Sequence, residues 1–384
     1  MKKQKYKMQE IYQGLYDGPH ATPPVSDSGA IFLGISNITP DGHIDYSDIR
    51  YINEMDLPKW TKRVTPKGGD IVFSYEATLN LYAIIPEGFW GCLGRRMALI
   101  RPDESKALGK YLYYYFYSDE WRATVSENTI TGSTVDRIPI AKFPEFPITL
   151  PDLSVQKKIA DTLSVYDDLI ENNKKQIELL EEAALRLYKE WFVDFLFPGH
   201  ENMDIVNDVP TGWHMGTLSE IVEFRRGKMI TKAQVKEGNV PVVAGGLEPA
   251  YYHNVANTKA PVITVSGSGA NAGFSRMYYE DVFASDCSFA DIEGTKSISY
   301  VYCFLKTNKY QLDALQKGSA QPHVYAKDIN AMEMLIPSPE VVLLYCEKVD
   351  VLFNKIGVLQ KQITSVKEAR DRLLPKLMSG EIEV

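Results

Sequence analysis

The sequence predicts an α+β fold: two globular, mostly-β modules at opposite ends of a long antiparallel two-helix coiled coil, with a pseudo-two-fold internal repeat. Three observations carry this reading. The first is repetition: Gly132-Ser133 and Gly318-Ser319 stand equally far ahead of Pro151 and Pro337, an offset of 186 residues. At that offset Gln176-Ile177 falls on Gln362-Ile363, Glu182-Ala183 on Glu368-Ala369, and Leu187 on Leu373. The second is a pair of long apolar seams with coiled-coil spacing. The third is the character of the segments between them, short strand-like runs separated by turns.

The first seam runs Ile159, Leu163, Tyr166, Ile170, Asn173, Ile177, Leu180, Ala184, Leu187, Trp191. The second runs Tyr345, Val349, Leu352, Ile356, Leu359, Ile363, Val366, Arg370, Leu373, Leu377. Alternating steps of four and three residues over more than four heptads predict two helices packed on each other. Asn173 breaks the first seam, either as a register device or as a solvated break, and Arg370 breaks the second. Pro375 should end or kink the second helix. Because the second helix begins where the second module ends, it has to run back antiparallel along the first. The stretch 159–191 gives a rod of roughly 50 Å.

The expected boundaries are 1–150 for the first module and 151–197 for the first helix. A linker at 198–213 leads to the second module at 214–335, the second helix at 336–378 and a tail at 379–384. Asp70–Ser74, Ala83–Ile85 and Met97–Ile100 read as strands of the first module. Pro261–Val265, Gly273–Tyr278 and Val282–Ala284 read so in the second. The aromatic run from Trp191 to Phe197 is either an exposed docking surface or the packing of the helix end onto the second module.

At 384 residues with 45% hydrophobic and 24% charged side chains, the chain is long enough for two or three ordinary globular domains. Its four cysteines form no C-x-x-C pair, which disfavours zinc and disulfides and suits a reducing cytoplasm. No apolar run has the length of a signal peptide or membrane span. The net charge of −8 looks wrong for a nucleic-acid binder, but the acidic excess is densest in the helical segment 151–199. Local basic clusters remain: Lys2, Lys3, Lys5 and Lys7; Lys59, Lys62, Arg63 and Lys67; Arg95 and Arg96; Arg225, Arg226, Lys228 and Lys232. Phosphate contacts depend on such clusters rather than on the whole-chain sum.

Catalysis finds no home. Ser266–Gly273 is glycine-rich, but its glycines miss the G-x-G-x-x-G spacing and a strand follows where a dinucleotide site needs a helix. A tight inter-strand loop that lets another backbone approach is the better reading. There is no G-x-x-x-x-G-K-[ST] loop, the proline-and-aromatic tetrapeptide of adenine-N6 methyltransferases is missing, and the six histidines lack metal-ligand spacing.

Five motifs in order then resemble the specificity subunit of type I restriction-modification systems. Asp17-Gly-Pro-His-Ala-Thr-Pro23 resembles the start of that family's first recognition domain, and Val209-Pro-Thr-Gly-Trp213 the opening of its second. Leu150–Ile159 resembles the entry to the central helix, Gly318–His323 the loop before the second helix, and Leu373–Ile382 the C-terminal signature. There are two departures. The first module starts almost at once, and its loop Gly132–Arg137 lacks the Gln-Pro-His of the second.

The resemblance implies two target recognition domains, each reading half of a bipartite double-stranded DNA site. The helices would set the spacing and dock two modification subunits carrying S-adenosylmethionine chemistry on adenine. Two ATP-dependent translocase and nuclease restriction subunits, with magnesium, would complete the complex. This chain would hold no catalytic residue, metal or cofactor of its own and would not meet a membrane. Candidate DNA contacts are Lys62, Arg63, Tyr75, Asn80, Arg95, Arg96 and Arg137 in the first module. In the second they are Arg225, Arg226, Lys228, Ser268, Asn271, Gln321 and His323. The competing readings are a non-catalytic coiled-coil adaptor whose modules bind proteins, and an enzyme with an unfamiliar site.

Overall fold

The computed structural model describes residues 2–132, 135–318 and 321–384. It comprises a first unit, residues 1–170 with 365–384, and a second unit, residues 171–364. In the first, β1 (Lys3–Lys7), β2 (Tyr12–Asp17), β3 (Ala30–Leu33) and β4 (Arg50–Ile52) precede a one-turn helix, α1 (Leu57–Trp60). Then come β5 (Ile71–Ser74), β6 (Tyr82–Ile84), β7 (Gly91–Leu93) and β8 (Met97–Pro102). Helices α2 (Gly109–Tyr115) and α3 (Asp119–Asn128) and strand β9 (Pro147–Pro151) complete the module.

One antiparallel sheet has the order β2-β8-β5-β6, and a second the order β4-β3-β7 with β3 parallel to β7; β1 pairs with β9. The central strands β5 and β8 begin Ile-Val-Phe and Met-Ala-Leu-Ile, apolar on both faces, because both faces are covered. Helix α3 starts where the Ser118 hydroxyl accepts the Trp121 N–H. Trp121 is itself fully buried and donates its indole N–H to the Tyr82 hydroxyl at 2.8 Å. Phe73, Phe116, Phe143 and Phe146 pack around this pair, each burial contributing roughly 2–3 kcal/mol.

A 40-residue helix, α4 (Leu153–Phe192), leaves the first module. Its entry is fixed by buried Gln156, whose Oε1 accepts the Leu108 N–H while its amide donates to the Lys106 and Pro151 carbonyls. The motif Leu150–Ile159 therefore has a structural task, tying the helix to the module that precedes it.

The second unit continues through the hairpin β10 (Ile205–Val206) and β11 (Val209–Pro210) to β12 (His214–Thr217), β13 (Arg225–Arg226), β14 (Val240–Val243) and β15 (Tyr251–His253). Next are β16 (Val262–Ser266), β17 (Ser275–Tyr278), β18 (Phe283–Ala284) and β19 (Cys287–Asp291), helices α5 (Ile298–Thr307), α6 (Lys309–Ala314) and α7 (Ala326–Asn330), and β20 (Glu333–Ile336). Its sheets repeat those of the first unit. The order β13-β19-β16-β17 matches β2-β8-β5-β6, β15-β14-β18 matches β4-β3-β7 down to the parallel pair, and β12–β20 matches β1–β9. The internal repeat thus extends through both modules, where the sequence match is loose.

The last helix, α8 (Pro339–Ser379), has 41 residues. Within the first unit it runs antiparallel to the start of α4, with Lys158 beside Val384 and Asp167 against Arg370. Within the second, Phe353 and Glu181 meet the same Tyr302, while Tyr345 meets Trp191 and donates its hydroxyl to the Ala184 carbonyl, again antiparallel. Ile159, Leu163, Ile170, Val349, Ile356 and Leu359 are buried; Ile177, Leu180, Leu187, Leu352, Ile363, Val366 and Leu373 are half-buried. Asn173 is buried, and its side-chain amide nitrogen has no partner among the described residues, so it is not a solvated break. Arg370 is buried because it bonds Asp167 at 2.6 Å and its neighbour Asp371.

Three expectations are corrected. Pro375 does not end the helix, which continues to Ser379 because Leu377 and Met378 are buried in the first unit's core. It stops at Gly380, whose left-handed φ of +84° turns the chain. The first helix stops at Phe192, and the run Trp191–Phe197 is mainly packing: Trp191, Phe192 and Phe197 are buried against Trp213, Tyr300 and Tyr345. The segment expected as an open linker includes the β10–β11 hairpin, turned by Asn207 and Asp208 at positive φ.

Candidate nucleic-acid interface

Backbone hydrogen bonds define which residues of the two modules correspond. Tyr75 donates to the Arg96 carbonyl as Gly267 does to that of Asp286, and Ile138 donates to Tyr75 as Val324 does to Gly267. Gly18 donates to Met97 as Gly227 does to Cys287. The same register pairs Arg137 with Glu76 and His323 with Ser268. Each module therefore has an edge at one end of its four-stranded sheet, made by the exit of β2 or β13, the loop after β5 or β16, the turn before β8 or β19, and the segment centred on residue 137 or 323.

The glycine at the exit is required. A Cβ on Gly18 would sit 2.4 Å from the Gly94 carbonyl oxygen, and one on Gly227 would sit 2.3 Å from that of Ser285. Only a residue without a side chain lets the two backbones pass this closely.

In the first module this edge gathers Tyr75, Asn80, Arg95, Arg96 and Arg137. Arg96, at φ +66°, is held by Glu76 at 2.9 Å. Arg95 and Arg137 are exposed and make no side-chain hydrogen bond or ion pair among the described residues. Tyr75 is only 7% exposed, so it backs the edge rather than presenting itself. Burial, reinforced by Asp17 and Glu76, raises its phenol above the ordinary value and keeps it neutral. Asn80 sits at φ +62° in the β5–β6 hairpin, its Oδ1 accepting the Tyr82 hydroxyl.

Lys62 and Arg63 lie on the segment between β4 and β5, residues 53–70; the matching connection in the second module is only 254–261. Arg63 reaches the edge by pairing with Asp17 at 2.5 Å and donating to the Gly18 carbonyl. With Lys59, Trp60 and exposed Lys62 it lines a cavity of about 150 Å³ beside Gly18 and Pro19.

In the second module Arg226 and Lys228 are exposed without side-chain partners among the described residues, and Ser268 donates to the Asp286 carboxylate at 2.5 Å. Asn271 donates weakly to the Gly245 carbonyl at 3.4 Å. The loop 266–273 is a tight inter-strand turn followed by strand β17, pinned to the next loop by Gly269 donating to Pro322. His323 closes that loop through two backbone bonds with Lys317 and stacks on Tyr325, and Gln321 is exposed. Ser133 and Ser319, of the paired Gly-Ser motifs, lie outside the described residues.

Arg225 is turned away from the edge. Its guanidinium lies 4.8 Å from the centre of the Phe289 ring and bonds buried Asp291, at the other end of β19. Adjacent strand residues point to opposite faces, so Arg225 and Arg226 cannot act alike. Glu76 and Asp286 are functional candidates that the sequence reading missed, because it sought only cationic and neutral polar side chains. The signal available was the register of the repeat, which puts a carboxylate beside each cluster.

All four cysteines are buried free thiols; burial pushes Cys92, Cys287 and Cys303 up to about 12 and Cys346 up to about 11, so they stay protonated at neutral pH. Among the described residues no His, Cys, Asp and Glu group could hold a metal ion, and no helix is long and apolar enough to cross a membrane.

Comparison with known proteins agrees with a duplicated recognition module. The chain is 28% identical over 381 residues to the type I restriction enzyme MjaIX specificity subunit of Methanocaldococcus jannaschii, covering 90% of this chain and 86% of that one. It is 22% identical to the type I restriction enzyme HindI specificity subunit of Haemophilus influenzae, covering 86% and 90%. Its fold matches the crystal structure of the type I restriction-modification system S subunit from M. genitalium, with a TM-score of 0.58 at 20% identity over 98% of this chain and 96% of that one. The type I restriction modification DNA specificity domain matches twice, at residues 28–182 and 210–368, and the chain therefore belongs to that family.

Proposed function

We propose that this chain is the DNA-specificity subunit of a type I restriction-modification complex, each module reading one half of a bipartite site. The observation that carries the reading is the pair of equivalent edges, each built on the same backbone and each presenting cations without internal partners. Arg95 and Arg137 stand on one, Arg226 and Lys228 on the other. Cations of this kind contact phosphates, which holds a protein in register, or reach base edges in the major groove together with neighbouring polar groups. Lys62 belongs with the phosphate contacts of the first half-site. Gln321 and His323 belong with the polar contacts of the second. Arg63, Arg96, Ser268 and Asn271, tied to neighbours within the protein, position the others.

The chain contributes address and scaffold. Methyl transfer to adenine from S-adenosylmethionine belongs to two modification subunits docked on the helices, and ATP- and magnesium-dependent cleavage to two restriction subunits. Helices of 40 and 41 residues, each roughly 60 Å long, are of the right scale to set an unread gap between half-sites. The test is a methyladenine map of the host genome, by single-molecule sequencing, with and without this gene. Loss of one split motif on deletion supports the reading; an unchanged map in a host shown to express the intact complex rejects it and favours an adaptor.

A further inference from the structure

The two edges are equivalent in backbone and inverted in chemistry. Where the first has Arg96, the second has Asp286; where the first has Glu76, the second has Ser268. Asp17 at the exit of β2 corresponds to Arg226 at the exit of β13, since they pair with Ala98 and Ser288 at matching positions. Pro19 corresponds to Lys228, and Arg137 to His323. The turn before β8 is one residue longer than the turn before β19, and Arg95 lies in that longer turn.

We propose that the two half-sites are read with opposite hydrogen-bond polarity. The first module donates to base acceptors, guanine O6 and N7, through Arg95 and Arg137. The second accepts from a base amino group, cytosine N4 or adenine N6, through Asp286. This rests on the function proposed above and adds the class of base that each edge takes.

Asp286 is the informative group. A carboxylate beside DNA is repelled by every phosphate, and the base group it can bind directly is an exocyclic amine, which cytosine N4 and adenine N6 present in the major groove. One of its oxygens is occupied by Ser268, which fixes the carboxylate's rotation and leaves Oδ1 to accept from a base. Arg226 and Lys228 flank it and supply the phosphate attraction that the carboxylate lacks. On the first edge the carboxylates at the positions of Ser268 and Arg226 are already spent, Glu76 on Arg96 and Asp17 on Arg63, while Asp136 is exposed next to Arg137. Among the described residues Arg95 and Arg137 keep their guanidinium groups unpaired there, and their planar forks match the two acceptors of guanine.

The experiment is motif mapping in the intact complex, in a host whose own copy of the gene is deleted. Three chains are compared with the original: the double variant Arg95→Gln with Arg137→Gln, the single variant Arg95→Lys, and Asp286→Asn. The double variant is expected to relax guanine at the first half-site roughly ten- to hundredfold, with the second half-site read as before. Arg95→Lys, which keeps the charge and loses the fork, should relax the same guanine. Asp286→Asn should lose discrimination at one cytosine or adenine of the second half-site, and the base that becomes degenerate tells which amine is bound. A melting curve for each purified complex separates misfolding from altered reading. If Arg95→Lys reads as the original does while the double variant merely binds more weakly, the arginines serve phosphates and the proposal fails. It also fails if no guanine changes or if Asp286→Asn leaves the second half-site intact. A split motif that survives all three variants unchanged overturns this inference alone, whereas no motif dependent on the gene overturns the proposed function with it.

Discussion

The two modules share their hydrogen-bond register and almost none of the side chains that register places. The clearest case is the buried carboxylate in each four-stranded sheet. In the first module Asp70, at the start of β5, is gripped by both ends of the Arg101 guanidinium at 2.7 and 2.8 Å, and Arg101 lies over Tyr16. In the second, Asp291 stands at the position of Arg101, and its partner Arg225 stands at the position of Tyr16 and lies over Phe289. Acid, guanidinium and ring have been exchanged between strands while the interaction survives. The exit glycine is kept in both, because there the constraint is backbone against backbone, and so are Ser74 with Ser266 and Ile71 with Ile263 on the central strand. A duplicated scaffold can therefore change what it reads without changing how it folds.

Breaking the arrangement where the units differ most should cost most. Arg370 bonds Asp167 in the first unit, where the second has only Ala184 at the corresponding repeat position and a Tyr345 hydroxyl on its carbonyl. Arg370→Ala leaves the half-buried Asp167 carboxylate with only the Tyr114 hydroxyl and is expected to destabilise the first unit by about 2–4 kcal/mol, and Tyr345→Phe the second by about 1 kcal/mol. Urea denaturation followed by residue-level hydrogen exchange distinguishes the units, and equal losses would contradict the contrast.

The exit glycines give the opposite test, since the modules should respond alike. Gly18→Ala and Gly227→Ala each force a Cβ against a carbonyl oxygen and are expected to cost about 1–3 kcal/mol, each weakening its own half-site. Salt-dependent binding of the assembled complex to DNA with either half-site scrambled measures this.

Within the second module, Arg225 and Arg226 should separate cleanly. Arg225→Ala is expected to lower stability by about 2 kcal/mol through Asp291 and to leave the salt slope of binding unchanged, whereas Arg226→Ala should reduce that slope by about one with no loss of stability. Matching effects would mean that both point at DNA.

The smallest effect concerns pH and is confined to the first module. Burial opposes ionisation of Asp41, but bonds from Thr39 and Lys367 outweigh it and hold its carboxyl well below the usual range. A depressed folded value adds stability that is present above about pH 4 and is lost as pH falls toward the folded value. Asp41→Asn should therefore cost about 1 kcal/mol of stability at pH 7, and the difference from the original chain should shrink steadily as pH falls below about 4.

The fold was legible where one physical rule acts alone. The seams from Ile159 and Tyr345 show through because a helix packed on one side needs apolar residues at a fixed period. Strands β5, β8 and β16 show because they are covered on both faces. The topology shared by the modules was hidden, since it is written in backbone hydrogen bonds that tolerate Tyr16 in one copy and Arg225 in the other. The interface was legible as charge clusters but not as directions. Nothing in Arg225-Arg226 says which arginine turns inward until Asp291 is found beside one of them, and Asp286 carries no signal until register sets it at the place of Arg96. Pro375 misled because its local cost is offset by Leu377 and Met378, buried a helical half-turn beyond it.

The central claim is that two modules address two separate stretches of DNA. Hydroxyl-radical footprinting of the intact complex on its own site tests it most directly. We expect two protected stretches divided by an unprotected gap, with Arg226→Ala and Lys228→Ala together erasing only one of them. A single continuous footprint, or loss of both stretches from that one change, would contradict the account.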